Sequence, residues 1–304
     1  MAKMTFLRKE PNLAAKTLRY WLHQHYTGYE PARPIKNVHA SELTKEEGLC
    51  PRMYALSDVT KLKPKDRWLT TSERLTFQMG RDQERHVVEA FSEMNKAFCH
   101  WRCETCNHLH EFQSRPFKCQ ACGFAQFRPE EVRFESKFSG ASCGIDMLVQ
   151  LGEPKLRPVE IKTMASEQFK LLEAPLAEHR LRTTLYLRLI AECESPWAAM
   201  VNQEKATILY IAKNAYGVKD DTLEKDGTKD KFSPFKEFNV VRNDKLTDHL
   251  DLRAKVVKAF RGGAVGMPAG VCPSSLSKRA KGCALREHCF SGEYPPVYDW
   301  SGAV

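Results

Sequence analysis

Asp146, Glu160 and Lys162 stand in two short apolar runs, GIDMLVQL and LRPVEIK, separated by Gly-Glu-Pro at residues 152–154. If they meet, these three side chains can do a defined piece of chemistry. Two carboxylates can hold a hard divalent cation, and the ammonium can hold a water or a phosphate oxygen beside it. That is the equipment of metal-assisted phosphodiester hydrolysis. Alternation along a strand puts Glu160 and Lys162 on one face, and folding at the turn brings Asp146 alongside them. The runs Ile145 to Leu151 and Leu156 to Ile161 are therefore expected to pair as a hairpin. Such residues are common on strands, so the trio alone does not make a site.

The cysteines carry a second chemistry. Cys103, Cys106, Cys119 and Cys122 form two CxxC pairs with twelve residues between them. Each pair can grip one zinc from a tight turn, and four sulfurs fill its tetrahedron without help from His108 or His110. A closed zinc ribbon of this kind is structural, and it lies between a long helix and the hairpin as an insertion. Arg102, Arg115 and Lys118 on it are candidates for nucleic-acid contact or for plain solvation. The tail adds Cys272, Cys283 and Cys289 in a segment poor in apolar residues, so core packing does not explain them. They need a fourth ligand from Cys50, Cys99, Cys143 or Cys193, and Cys50, followed by Pro51 in a polar context, stands out. Spacing leaves zinc and an iron-sulfur cluster both open.

Bulk composition frames these groups without choosing among functions. The chain has 304 residues, 42% hydrophobic and 28% charged, which is ordinary for a globular protein. Its net charge of +9 favours a polyanionic partner without demanding one. There is no signal-peptide core and no apolar run of membrane-spanning length, so a cytoplasmic protein without a membrane partner is expected. Eleven cysteines in a reducing compartment argue for metal ligation over disulfides.

The elements that must position these residues follow from periodicity. A helix is expected over 11–24, and Ser41 is a plausible N-cap for one before Cys50. A second short helix begins near Pro51. A long amphipathic helix runs from Ser72 to Phe98, with His86 on or beside its apolar face. Val132 to Phe138 reads as a strand before the hairpin, making a three-stranded antiparallel start to a sheet. Residues 165–192 give helices broken at Pro175. Strands follow over 206–212 and 237–241, with a charged loop at 219–231 between them, and a helix over 243–260 closes the pattern. The fold class is mixed α+β or α/β.

Taken together, CPRMYAL at Cys50, GRDQERH ending at His86, GID at Asp146, EIK at 160–162 and GCALREHC near the end form a recognisable order. The chain resembles the RecB-like branch of the PD-(D/E)XK nucleases, in particular the iron-sulfur exonucleases that include CRISPR-associated and phage members. The resemblance implies a restriction-endonuclease-like core with a mixed central sheet flanked by helices. It implies a single nuclease domain over 1–304 and a cluster module joining 39–58 to 270–292, whereas the zinc-ribbon insertion over 99–128, read from the CxxC pairs, is not a general family feature. By motif, His86, Asp146 and Glu160 would bind catalytic Mg2+ or Mn2+ and Lys162 would assist hydrolysis. Cys50, Cys272, Cys283 and Cys289 would hold a [4Fe-4S] cluster.

Two positions depart from that pattern. Arg182 stands where the family usually has glutamine, four residues before Tyr186. Ten residues separate Cys272 from Cys283, where the family often has a close pair. The implied activity is metal-dependent hydrolysis of DNA, most economically a single-stranded DNA exonuclease acting in recombination, repair or phage DNA processing, with Arg182 and Tyr186 tracking the strand. Recombination or replication proteins are possible partners. An imidazole ligand would favour Mn2+. The alternative is a nucleic-acid-binding recombination subunit that keeps the fold without cutting. A zinc-ribbon transcription accessory factor would explain the ribbon and the basic charge but not the hairpin or the tail.

Overall fold

The apolar strand KATILYIA is buried at every position but its first and fifth, the pattern of a strand covered on both faces inside a sheet. That strand is the neighbour on which the site-bearing strand lies. The computed structural model describes residues 29–30, 37–45, 48–62, 67–68, 70–213, 218–219 and 232–300. The helix expected over 11–24, and the charged loop beyond residue 219, lie outside the described residues.

The elements begin with β1 (Tyr29–Glu30), β2 (Val38–His39), α1 (Ala40–Leu43), α2 (Pro51–Thr60), β3 (Arg67–Trp68) and the long α3 (Thr71–Glu93). Then come β4 (Ala97–Cys103), β5 (Leu109–Gln113), β6 (Phe127–Glu130), β7 (Val132–Glu135), β8 (Ala141–Ile145), β9 (Met147–Val149) and β10 (Arg157–Met164). The remainder is α4 (Ser166–Lys170), α5 (Ala177–Ala191), β11 (Lys205–Ala212), β12 (Val218–Lys219), β13 (Phe232–Ser233), β14 (Phe235–Val241), α6 (Asp244–Arg261), α7 (Lys278–Gly282) and α8 (Arg286–Phe290).

The central sheet is mixed and seven-stranded, in the order β14-β11-β10-β9-β4-β5 with β6 also paired to β4. Strands β10 and β11 run parallel, Glu160 opposite Ile208, and the segment carrying α4 and α5 makes the crossover that a parallel pair requires. A smaller sheet, β2-β8-β7, lies beside it. The expected hairpin exists, with Val159 opposite Met147 and Arg157 opposite Val149, but its first strand is not continuous. The chain belongs to the small sheet up to Ile145 and to the central sheet from Met147, so it changes sheets at Asp146. The three-stranded antiparallel start is thereby divided between two sheets.

Caps and burial explain the helices. Thr70 and Glu73 close a capping box at the start of α3, and Pro51 takes the first position of α2 behind Cys50. Ser41 lies inside α1, whose N-cap is His39, so the expected cap is displaced by two residues. Every residue of α5 from Thr183 to Ile190 is buried, as in a helix covered on all sides. Arg188 is among them, and its guanidinium reaches Glu192, Asp248 and Asp251 at 2.9, 2.7 and 2.9 Å. That arginine is an internal clamp between α5 and α6. Among the described residues no helix is long and apolar enough to cross a membrane.

Candidate active site and cysteine centres

Because β9 and β10 are in register, Asp146 arrives beside the middle of β10. Its Oδ2 accepts a hydrogen bond of 2.7 Å from the Ile161 backbone N–H. Alternation sends Glu160 and Lys162 to one face of β10, where Lys162 Nζ lies 2.5 Å from Glu160 Oε1 and donates to the Ile161 carbonyl at 3.0 Å. Glu160 is only 4% exposed, and its Oε2 is buried with no hydrogen-bond partner. A buried carboxylate oxygen left without a donor is costly unless something cationic joins it.

A third acidic group joins from α3. A Cβ on Gly80 would lie 3.3 Å from Thr163 Oγ1, so this glycine lets α3 pass close to β10. Residues four apart share a helix face, which puts Glu84 over the same part of the strand. Burial raises the Glu84 carboxyl pKa, Lys162 opposes the rise, and Glu131 and Glu160 add to it. Asp146 is pushed well above the usual carboxylate range, by burial first and then by the charges of Glu160 and Glu84, with Lys162 opposing. Burial works against the Lys162 ammonium, but Glu160 and Asp146 outweigh it and hold its pKa above the ordinary value. Three crowded carboxyl groups thus share one ammonium, fewer cationic groups than acidic ones.

The structure brings Asp146, Glu160 and Lys162 together, and it does not bring His86 to them. Two residues beyond Glu84 is about 200° around the helix. The His86 side chain is 73% exposed, with Nδ1 3.5 Å from Glu89 Oε2. The helix expected to supply a histidine supplies Glu84 instead. Its sequence signal was Gly80, four residues earlier.

Tyr186 is 7% exposed, and its hydroxyl pKa is raised well above the usual value by burial and then by Glu160 and Asp146. A ring packed behind the acids cannot stack on a passing base. Arg182 bonds Glu178 at 2.5 Å and Thr44 Oγ1 at 3.3 Å, and its charge bears on Lys162 from the α5 side.

The ribbon cysteines form a compact group. The sulfurs of Cys103, Cys106, Cys119 and Cys122 all lie within 4.8 Å of one another, with Cys103 to Cys122 at 3.5 Å and Cys106 to Cys119 at 3.6 Å. A tetrahedral zinc with bonds of about 2.3 Å needs sulfurs about 3.8 Å apart, so the set fits one metal ion. His110 is buried behind it, with Nε2 3.4 Å from Cys119 Sγ, an outer partner for a ligand sulfur. The ribbon grows out of the central sheet, because β4 pairs with β9 at Ala97 and Phe98 and then with β5 and β6.

Cys50, Cys272, Cys283 and Cys289 line one cavity of about 470 Å³. Among the described residues, the ribbon's four cysteines are the group whose ligand atoms lie close enough together to hold one metal ion. Arg52, 4% exposed, donates to Cys289 Sγ at 3.1 Å and to the carbonyls of Pro268, Cys289 and Tyr294. It ties the tail to α2 whatever occupies the cavity.

No protein-family model and no curated protein matches the chain. Solved structures similar to it include LHK-Exo in complex with dAMP, at 13% identity over 75% of this chain and 88% of that one, TM-score 0.39. A phage-related exonuclease from Haemophilus somnus 129PT aligns at 13% identity over 74% and 92%, TM-score 0.37. SSO0001 aligns at 12% identity over 82% and 85%, TM-score 0.33. Similarity at this level leaves the chemistry to the site's own residues.

Proposed function

We propose that the chain is a metal-dependent deoxyribonuclease acting on single-stranded DNA as an exonuclease. The observation that carries this reading is the buried, partnerless Oε2 of Glu160 inside a group of three carboxylates with Lys162 at its edge. Glu84, Asp146, Glu160 and the Ile161 carbonyl are the residues that would hold a divalent cation. The set is all oxygen, which suits Mg2+ and removes the imidazole argument for Mn2+. A cation held there would lower the pKa of a bound water and offset charge on the scissile phosphate.

The chain's own part is positional. The Ile161 N–H fixes one Asp146 oxygen, leaving the other for a ligand. Glu160 and the Ile161 carbonyl hold Lys162, so that its ammonium can orient the attacking water or meet charge developing on the phosphorane. Arg182, close enough to influence Lys162, is a candidate contact to the strand. We further assign zinc to the ribbon and a [4Fe-4S] cluster to Cys50, Cys272, Cys283 and Cys289, supported by the compact ribbon set and by the one cavity that the other four thiols line.

The test is incubation of end-labelled single and double strands with Mg2+ or Mn2+, comparing the wild type with Lys162→Ala. The wild type is expected to shorten the single strand, and the variant to do so about 10²- to 10³-fold more slowly. Equal inertness of both, with the wild type folded and metal-loaded, would leave a nucleic-acid-binding subunit that does not cut.

A further inference from the structure

Asp146 and Glu84 open into a cavity of about 450 Å³ whose remaining walls carry Arg81 and Arg85 from α3, Arg128 from β6 and Arg133 from β7. One of those walls belongs to the zinc ribbon. Strand β6 pairs with β4 so that Phe127 faces Cys103 and Arg128 faces Arg102. Phe127 is buried against His110, ring centroids 5.3 Å apart, and His110 in turn touches Cys119. The metal-binding group therefore braces the buried side of β6, and alternation leaves Arg128 on the other side.

Charge in this cavity is divided by depth. Glu130 is held in a fork by Arg102, at 2.5 and 2.9 Å, which lowers its pKa and uses its charge. Arg128 Nε stays 3.7 Å from Glu130, with the Arg128 side chain 54% exposed. Arg133 meets Glu131 at 3.5 Å and is 67% exposed. Glu84 and Asp146, the remaining acids, belong to the cation group. With a cation on them, the rim presents guanidinium groups to whatever approaches. Guanidinium forks match phosphate oxygens, and the spacing of a rim around a hydrolytic site suits the phosphates flanking the scissile one.

We propose that the zinc ribbon is part of the substrate-binding wall. Its strand β6 holds Arg128 at the cavity rim, where it grips a backbone phosphate of the nucleic-acid strand together with Arg81 and Arg133. The ribbon's metal is then a positioning device for Arg128. The proposal rests on the nuclease reading above.

The test measures binding of a short fluorescein-labelled single-stranded DNA across a salt series, in an Asp146→Asn background so that the probe is not consumed. Arg128→Ala should weaken binding and reduce the slope of log Kd against log salt by about 0.7, one phosphate contact's worth for a single strand. Arg128→Lys should restore most of the slope. Cys106→Ser, which breaks the ribbon's ligand set, should reproduce the Arg128→Ala slope, whereas Lys118→Ala, an equal charge loss on the ribbon outside the cavity, should not. An unchanged slope in Arg128→Ala with zinc content intact overturns the inference while the nuclease reading stands. So does an equal fall in Lys118→Ala. Failure of the parent protein to bind or cut any strand overturns both.

Discussion

Gly80 on α3 lies against Thr163 on β10, so close that a Cβ on the glycine would come within 3.3 Å of the threonine Oγ1. This contact sets which face of α3 overlooks the acids. It selects Glu84, one turn on, and turns His86 outward. Glu84→Gln should therefore cut nuclease activity by at least about a hundredfold, while His86→Ala stays within about twofold of wild type. Initial rates on a labelled single strand at saturating Mg2+ decide it, and a large loss in His86→Ala would return the histidine to the site.

Asp146 is buried beside Glu160 and Glu84, and its raised pKa reports the cost of placing charge there. Asp146→Asn keeps an acceptor for the Ile161 N–H and removes one negative charge. Thermal unfolding in the presence of a chelator should show this variant more stable than wild type by about 1 kcal/mol, with cleavage abolished. Added Mg2+ should stabilise the wild type and leave the variant nearly unmoved. A less stable variant would mean that the carboxylates are not crowded.

His179 stands at the end of the site, with Nδ1 2.8 Å from the Tyr210 hydroxyl. Burial first, then the charges of Lys162 and Arg182, push its pKa down to about 4. The unfolded chain therefore binds the proton more tightly than the folded one. Its contribution is fully present above about pH 6.5 and is lost as pH falls through about 4, amounting to about 2 kcal/mol for a partly exposed ring. Urea melts of His179→Gln between those pH values should show a flatter dependence than wild type. Parallel curves would remove His179 from the account.

The two cysteine groups should separate by colour and by metal. Anaerobically purified protein should absorb broadly in the visible and contain zinc as well as iron. Cys289→Ser should lose the visible band and destabilise the junction of α2 with the tail, keeping zinc, whereas Cys106→Ser should lose zinc and keep the colour. A colourless wild type with two zincs would reverse the assignment of Cys50, Cys272, Cys283 and Cys289.

Much of this arrangement is legible without coordinates, because it depends on local geometry. Alternation alone puts Glu160 and Lys162 on one face, and two CxxC pairs can close on one ion through tight turns. The pairing of β9 with β10 follows from two apolar runs and a turn between them. Even the gathering of Cys50 with Cys272, Cys283 and Cys289 was legible, since polar-context thiols need partners and few were left.

What the tertiary structure decided depends on how elements approach one another. Amphipathic periodicity makes α3 a helix but does not say which of Glu84 and His86, 200° apart, faces the acids; the close passage at Gly80 and Thr163 does. A strand-tracking Tyr186 presumes an exposed ring, but the helix carrying it is covered on all sides, so the ring lies buried behind Asp146 and Glu160. The break of the first hairpin strand at Asp146 arises because β8 and β9 bond to different sheets, a choice made by distant partner strands. Residue types named the chemistry; packing between helix and sheet chose which carboxylate completes it.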